Sequence, residues 1–351
     1  MVCASAMSLT AQKNLKTEHL VSPLGIDNNA PRLSWQTLGE SQKSYALVVD
    51  TDSVAAAAGK GSAWSTGVVE TDKQNVVYAG KPLKPFTTYF WRVENVGKDG
   101  KTNVSPVARF ETGMMSVKNW QGSWISDNNS RDYKPAPYFR KTFNVEKHVK
   151  TARAYISAGG LFTLSVNGKK VGDHFLDPVY TRYDRRCKYV TFDVTSLLHE
   201  GINVVGVVLG NGWYNHQAFA VWDFERAPWR QRPAMCMDLR ITYDDGSVAT
   251  VPTDLSWRSS SDGPLVYNNI YTGEHYDFNK NLLQGWDTPE YNDSKWGGVR
   301  LRQAPAPIVS AQAMEPIRFV EDIAAKGMKK LNDSTYIYDF GKNMAGVTTV
   351  K

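Results

Sequence analysis

The sequence predicts an all-β protein: a fibronectin type III-like β-sandwich, then a jelly-roll β-sandwich, then the start of a third β-domain. Two observations lead there. Short runs alternate in polarity, as where Tyr89, Trp91 and Val93 interleave with Phe90, Arg92 and Glu94; a period of two places one face in a core and leaves the other wet. Aromatic residues are abundant (17 Tyr, 11 Trp), and 27 Gly and 16 Pro are scattered evenly between the runs, as strands punctuated by turns require.

Taken in order, residues 1–11 are small and weakly apolar and read as the tail of a secretory signal or an appended leader. Residues 12–113 form the first sandwich, with seven strands expected. Leu33–Trp35, Tyr45–Val49, Val76–Tyr78, Thr88–Glu94 and Ala108–Phe110 are the clearest of them, and Asp99-Gly100 marks a hairpin. Asp52 to Ala58, with four consecutive alanines, is a short helical crossing. Glu111–Ser116 reads as a linker.

Residues 114–310 form the second sandwich. Its strands include Tyr138–Phe143, Ala152–Ser157 and a hairpin over Leu161–Val171 with Asn167-Gly168 at its tip. Ile202–Leu209 is nearly all apolar, as a central strand buried on both faces would be. Met235–Tyr243 and Val248–Val251 pair around Asp245-Gly246, and the strand number and long return suit a jelly roll. In residues 311–351, Thr335–Asp339 and Val347–Val350 read as opening strands of a further domain.

The net charge of +6 is dispersed, its densest cluster being Arg182, Arg185, Arg186 and Lys188. No basic face or recognisable fold points to nucleic acid, and the charge gives solubility with a slight anionic bias in partners. No stretch reaches the roughly 18 apolar residues of a membrane span. Three cysteines (Cys3, Cys187, Cys236) are no disulfide framework. Cys187 and Cys236 could pair if their strands are neighbours; two buried thiols are the simpler reading.

Few residues are candidates for chemistry. Glu274 with Asp277, and Asp287 with Glu290 and Asp293, place acids close in sequence, but catalytic carboxylates come from separate elements and loop acids cap turns. His216 and His275 accompany no nucleophile elbow. Saccharide binding is better supported, because a sugar offers an apolar face to an aromatic ring and hydroxyls to planar polar groups. One loop, Asp173 to Asp184, carries Asp177, Tyr180 and Tyr183. Another, Asn211 to Trp222, carries Asn211, Trp213, Tyr214, Asn215, His216 and Gln217. The intervening strand pair could bring both loops to one end of the sandwich, where function commonly sits. Trp213 and Tyr214 then either face a ligand or close the core.

The stretch Tyr267 to Trp296 carries Ile270-Tyr271-x-Gly-Glu274-x-Tyr276-Asp277, Gly285-Trp286-Asp287-x-Pro and Asp293-Ser294-x-Trp296. With Pro31–Trp35, Phe192–Leu198, Leu209–Tyr214 and Tyr338–Gly346, this order resembles the N-terminal β-domains of bacterial α-L-rhamnosidases, glycoside hydrolase family 78. The resemblance implies hydrolysis of terminal α-L-rhamnosyl bonds with inversion, rhamnose-containing carbohydrate as partner, and an exported protein. It places the catalytic carboxylates in an (α/α)6 barrel that follows these domains, so this chain is expected to lack them and to need a C-terminal catalytic domain of the same polypeptide. Some relatives bind rhamnose through Ca²⁺ on the jelly roll. Here the candidate ligands are Asp173, Asp177 and Asn211, although Pro178-Val-Tyr-Thr181 departs from the Pro-Gly-Trp-Thr the family often has there. The rival expectations are a stand-alone lectin-like module and a structural spacer.

Overall fold

The computed structural model describes residues 12–37 and 41–349; the expected leader, with Cys3, lies outside the described residues. In the first sandwich, Gln12–Thr17, Arg32–Thr37 and Asn75–Val77 make a three-stranded sheet. It faces a five-stranded sheet of Trp64–Glu70, Gln42–Asp50, Thr88–Gly97, Thr102–Val104 and Ala108–Glu111. That makes eight strands where seven were expected. Thr88–Gly97 alternates buried and half-buried residues along its whole length. Trp91 and Val93 sit across from Val49 and Leu47, and all four side chains are fully buried with Leu33 and Phe110. The alanine run is helical over Ser53–Ala57, capped by Asp52, which accepts from the amides of Val54 (2.7 Å) and Ala55 (3.2 Å).

The second sandwich packs a six-stranded sheet against a seven-stranded one. Gly201–Gly210 lies between Leu161–Val166 and Tyr138–Val145, and Val204 to Val207 are buried on both faces, as their unbroken apolar run requires. In the facing sheet Val149–Gly159 pairs with both Arg186–Asp193 and Ala234–Tyr243. Phe139, Ile156, Leu209, Met237, Leu239 and Trp257 fill the space between the sheets. At the hairpin tip, Asn167 and Gly168 take φ of 50° and 77°, the left-handed pair that an Asn-Gly turn supplies. Cys187 and Cys236 are both buried and free. Their strands flank Val149–Gly159 on opposite sides and are not neighbours. Burial pushes the Cys187 thiol up to about 11 and raises Cys236 further.

The Glu111–Ser116 stretch is a packed junction and not a loose linker. Met114 is buried, and its amide donates to the Tyr189 hydroxyl (2.9 Å). Asp27 accepts from the amides of Met115 (2.7 Å) and Ala311 (2.8 Å). Arg153 of the second sandwich grips Glu111 through two bonds, 2.8 and 3.0 Å. A Cβ on Gly113 would lie 2.0 Å from the Tyr189 hydroxyl oxygen, so only glycine fits there.

A separate compact unit comprises Asp173–Phe175 and Ile317–Lys351. Within it His174–Phe175 pairs with Ile317–Arg318, and Gly327–Asn332 pairs with Thr335–Asp339. Both hairpin strands are exposed along their length. The expected strand at Val347–Val350 does not form: residues 347–349 are irregular and exposed, and Val350 lies outside the described residues.

Candidate functional site

Three segments far apart in sequence meet beside the second core. The loop after Gly201–Gly210 turns at Gly212, whose φ is +49°, and brings up Trp213 and His216. The segment before Arg186–Asp193 brings Tyr180. The hairpin of Leu265–Asn269 and Gly273–Tyr276 brings Tyr271. The Trp213 ring lies 5.5 Å from His216 in a stacked arrangement, 4.7 Å from Phe224, 5.2 Å from Tyr271 and 5.9 Å from Tyr180. Tyr271 and Tyr180 are exposed, and beside this cluster in sequence Phe219 and Trp222 are 79% and 73% exposed. Apolar surface of this kind, concentrated in one loop set, marks a binding region more often than isolated exposed residues do.

Beneath the rings lies an amide network. Asn211 donates from its side chain to the Asn268 carbonyl (2.9 Å), and its backbone amide donates to the Asn268 side-chain oxygen (2.6 Å). Asn215 donates to the Asn211 side-chain oxygen (2.9 Å) and to the Arg131 carbonyl (2.8 Å), which Gln217 also reaches at 3.0 Å. The Arg131 segment is itself fixed by Arg232, which donates to the carbonyls of Tyr133 (2.7 Å) and Pro135 (2.8 Å) and to both oxygens of Asp127. Burial depresses the His216 pKa, and the nearby Glu225 carboxylate offsets only part of the loss of solvation.

The sequence-proposed residues divide accordingly. Tyr180 and Trp213 meet in the aromatic cluster, with Trp213 half-buried where rim exposure was one of the two readings. Tyr183 and Tyr214 close the core: both are buried, their rings 5.0 Å apart, and burial pushes the Tyr214 phenol up to about 12. Asp177 is buried and accepts from Gln312 (3.2 Å). Asn211 is buried with both ends of its amide engaged.

Asp173, Asp177 and Asn211 each have a partner within the protein. Asp173 belongs to the separate unit and pairs with Arg318 at 2.9 Å, and the side-chain oxygen of Asn211 is already bonded to Asn215. Among the described residues no group of three or more His, Cys, Asp or Glu is gathered as metal ligation would need. Two of the loop acids are held in structural roles. Asp277 caps a 3-10 turn and Asp293 is ion-paired with Arg140. Asp238, whose pKa burial raises, is 2% exposed and sealed under the amides of Gln121 and Gly122.

Tyr271, Phe224 and Asn268 were not anticipated as parts of this cluster. Tyr271 stood in the most distinctive stretch of the sequence, but nothing local says that a hairpin some fifty residues on folds back over Trp213.

Fold and cluster define a tandem pair of β-sandwich domains with an aromatic, amide-lined loop region on the second. Family models match in the same order. The Rha78A-like N-terminal immunoglobulin domain matches residues 12–116, and the α-L-rhamnosidase N-terminal domain matches residues 147–321. The chain belongs to the N-terminal region of the α-L-rhamnosidases. An α-L-rhamnosidase from Formosa agariphila is 32% identical over 359 residues, covering 93% of this chain and 37% of the relative. The solved structure of α-L-rhamnosidase from Dictyoglumus thermophilum is 32% identical with a TM-score of 0.85, over 95% of this chain and 39% of that one. The Streptomyces avermitilis α-L-rhamnosidase complexed with L-rhamnose shares the fold, with a TM-score of 0.86 at 22% identity over 95% of this chain and 49% of that one. The chain thus spans less than half the length of the curated relatives it matches, at 37%, 38%, 39% and 49% of four of them.

Proposed function

We propose that this chain is the non-catalytic N-terminal part of an exported α-L-rhamnosidase that hydrolyses terminal α-L-rhamnosyl residues, and that its second sandwich holds rhamnose-containing carbohydrate. The observation that carries the binding role is the meeting of Tyr180, Trp213 and Tyr271 over a bed of side-chain amides. Rings supply apolar area to a sugar face while amides exchange hydrogen bonds with its hydroxyls. The non-catalytic role is supported by Asp277, which caps a turn, Asp293, which pairs with Arg140, and Asp238, which lies sealed in the core. Turnover of an aryl α-L-rhamnoside by residues 1–351 tests the second point: hydrolysis above that of a Trp213→Ala, Glu274→Gln double variant would refute it. Titration with L-rhamnose tests the first, and a structural spacer predicts no saturable response.

A further inference from the structure

We propose that Arg300 and Arg302 form a binding site for an oxyanion, a carboxylate or a sulfate, on the edge of the second sandwich. The inference stands apart from the carbohydrate-binding reading above, since it rests on charge and not on the aromatic cluster. Arg300–Leu301 is the outermost strand of the seven-stranded sheet, and among the described residues no strand pairs beyond it. Arg300 lies opposite Ser126 and Leu301 opposite Ile125. The Arg302 amide extends this ladder to the Trp124 carbonyl at 2.8 Å. Residues two apart on a strand share a face, so Arg300 and Arg302 project to one side and Leu301 to the other. Both arginines are half-buried, so solvent still reaches them.

Among the described residues neither arginine is ion-paired. Arg300 donates to the Asn129 carbonyl at 2.7 Å, which makes a hydrogen bond and leaves the charge standing. The Arg302 guanidinium has no hydrogen-bond or ion-pair partner among the described residues. Burial and the Arg300 charge both depress its pKa, against the pull of Tyr214 and Asp127. The Tyr214 phenol is neutral, since burial holds its pKa up at about 12. Asp127 is committed elsewhere: it accepts from Arg232 at 2.9 and 2.7 Å, from Asn129 at 2.9 Å and from Ser261 at 3.0 Å. Asp132, the other acid of that segment, pairs with Arg230 at 2.6 Å and Arg131 at 3.7 Å. Two like charges therefore stand side by side with no free carboxylate of their own. A guanidinium presents its N–H donors as a planar fork and stays charged, so its matching partner is a group with two anionic oxygens. A neutral hydroxyl would leave the charge uncompensated, and a metal ion would be repelled. Nucleic acid calls for a broad basic face, whereas one arginine pair fits one anionic group.

The test is calorimetric titration of the full chain at low ionic strength with D-glucuronate, with sodium sulfate, and with D-glucose as the neutral control. It is repeated on Arg302→Gln and Arg302→Lys. The proposal expects saturable binding of an anion at about the millimolar level, weakened by added sodium chloride and absent with glucose. Arg302→Gln should weaken it about tenfold, the effect of one lost charge-assisted hydrogen bond, while Arg302→Lys, which keeps the charge, retains part of it. Thermal melts report each variant's fold separately; the anion should raise the midpoint of the native chain and leave that of Arg302→Gln unmoved. Glucuronate bound without sulfate assigns the site to the carboxylate of an acidic sugar, sulfate without glucuronate assigns it to the inorganic ion, and both bound supports a site that reads charge alone. Neither anion bound, equal binding by native chain and Arg302→Gln, or glucose bound as well as glucuronate would each overturn the proposal. The salt dependence of the native chain needs no variant to fold. No arm uses L-rhamnose, so failure here leaves the carbohydrate reading to its own titration.

Discussion

Replacing Arg232 with methionine removes the anchor of the site from below. Arg232 is fully buried, and its guanidinium donates to Asp127 at 2.9 and 2.7 Å and to the carbonyls of Tyr133 and Pro135. Methionine fills much of the volume but leaves Asp127, 2% exposed, as an uncompensated carboxylate. Breaking a buried pair in this way costs about 3–5 kcal/mol. The cost depends on pH. Burial tends to raise the Asp127 pKa, but the Arg232 hydrogen bonds and charge, with Asn129 and Ser261, hold it below the usual carboxylate range. In the native protein this pairing stabilises the fold above the unfolded pKa of about 3.9, and that contribution fades as pH falls through the depressed folded value. Without Arg232 burial dominates and the folded pKa rises, so the variant is penalised only where the carboxyl must ionise. Urea melts at several pH values should therefore show the gap from the native protein largest near neutrality and shrinking towards about pH 4. Removing both partners, Asp127→Leu with Arg232→Met, should recover much of the loss. A gap under about 1 kcal/mol, or one that is the same at both ends of the pH range, would refute the reasoning.

Tyr214→Ala should cost about 3–5 kcal/mol, as for an aromatic side chain in a packed interior, whereas Trp222→Ala, at an exposed ring, should change stability by less than about 0.5 kcal/mol; comparable shifts in denaturant midpoint would contradict the placement of both. Tyr189→Phe removes the hydroxyl that receives the buried Met114 amide. It should cost about 1–3 kcal/mol and speed hydrogen exchange at Met114, while unchanged exchange there would show that the junction does not depend on this bond.

Much of the fold was legible because local pattern and tertiary demand agree. The alternation of Thr88–Glu94, the apolar run of Ile202–Leu209 and the Asn167-Gly168 tip each specify one arrangement. Glu111–Ser116 misled because glycine and serine mark both loose linkers and close-packed junctions; only the placement of Tyr189 against Gly113 distinguishes them. The strand at Val347–Val350 was read from β-propensity, which reports a fit to a half-buried surface and not an intrinsic preference, and residues 347–349 have no such surface among the described residues. The candidate site was legible in its loops and not in its roles. Tyr183 and Tyr214 have the composition of stacking residues but sit inside, and the pairing of Asn211 with Asn268 is a long-range contact that no spacing announces.

The most direct test of the central claim is calorimetric titration of L-rhamnose into the folded full chain, alongside the Trp213→Ala variant. The account predicts saturable binding at about the millimolar level or tighter, weakened in the variant while its fold survives. Absence of saturable heat with the native chain, or equal binding by native chain and variant, would contradict it.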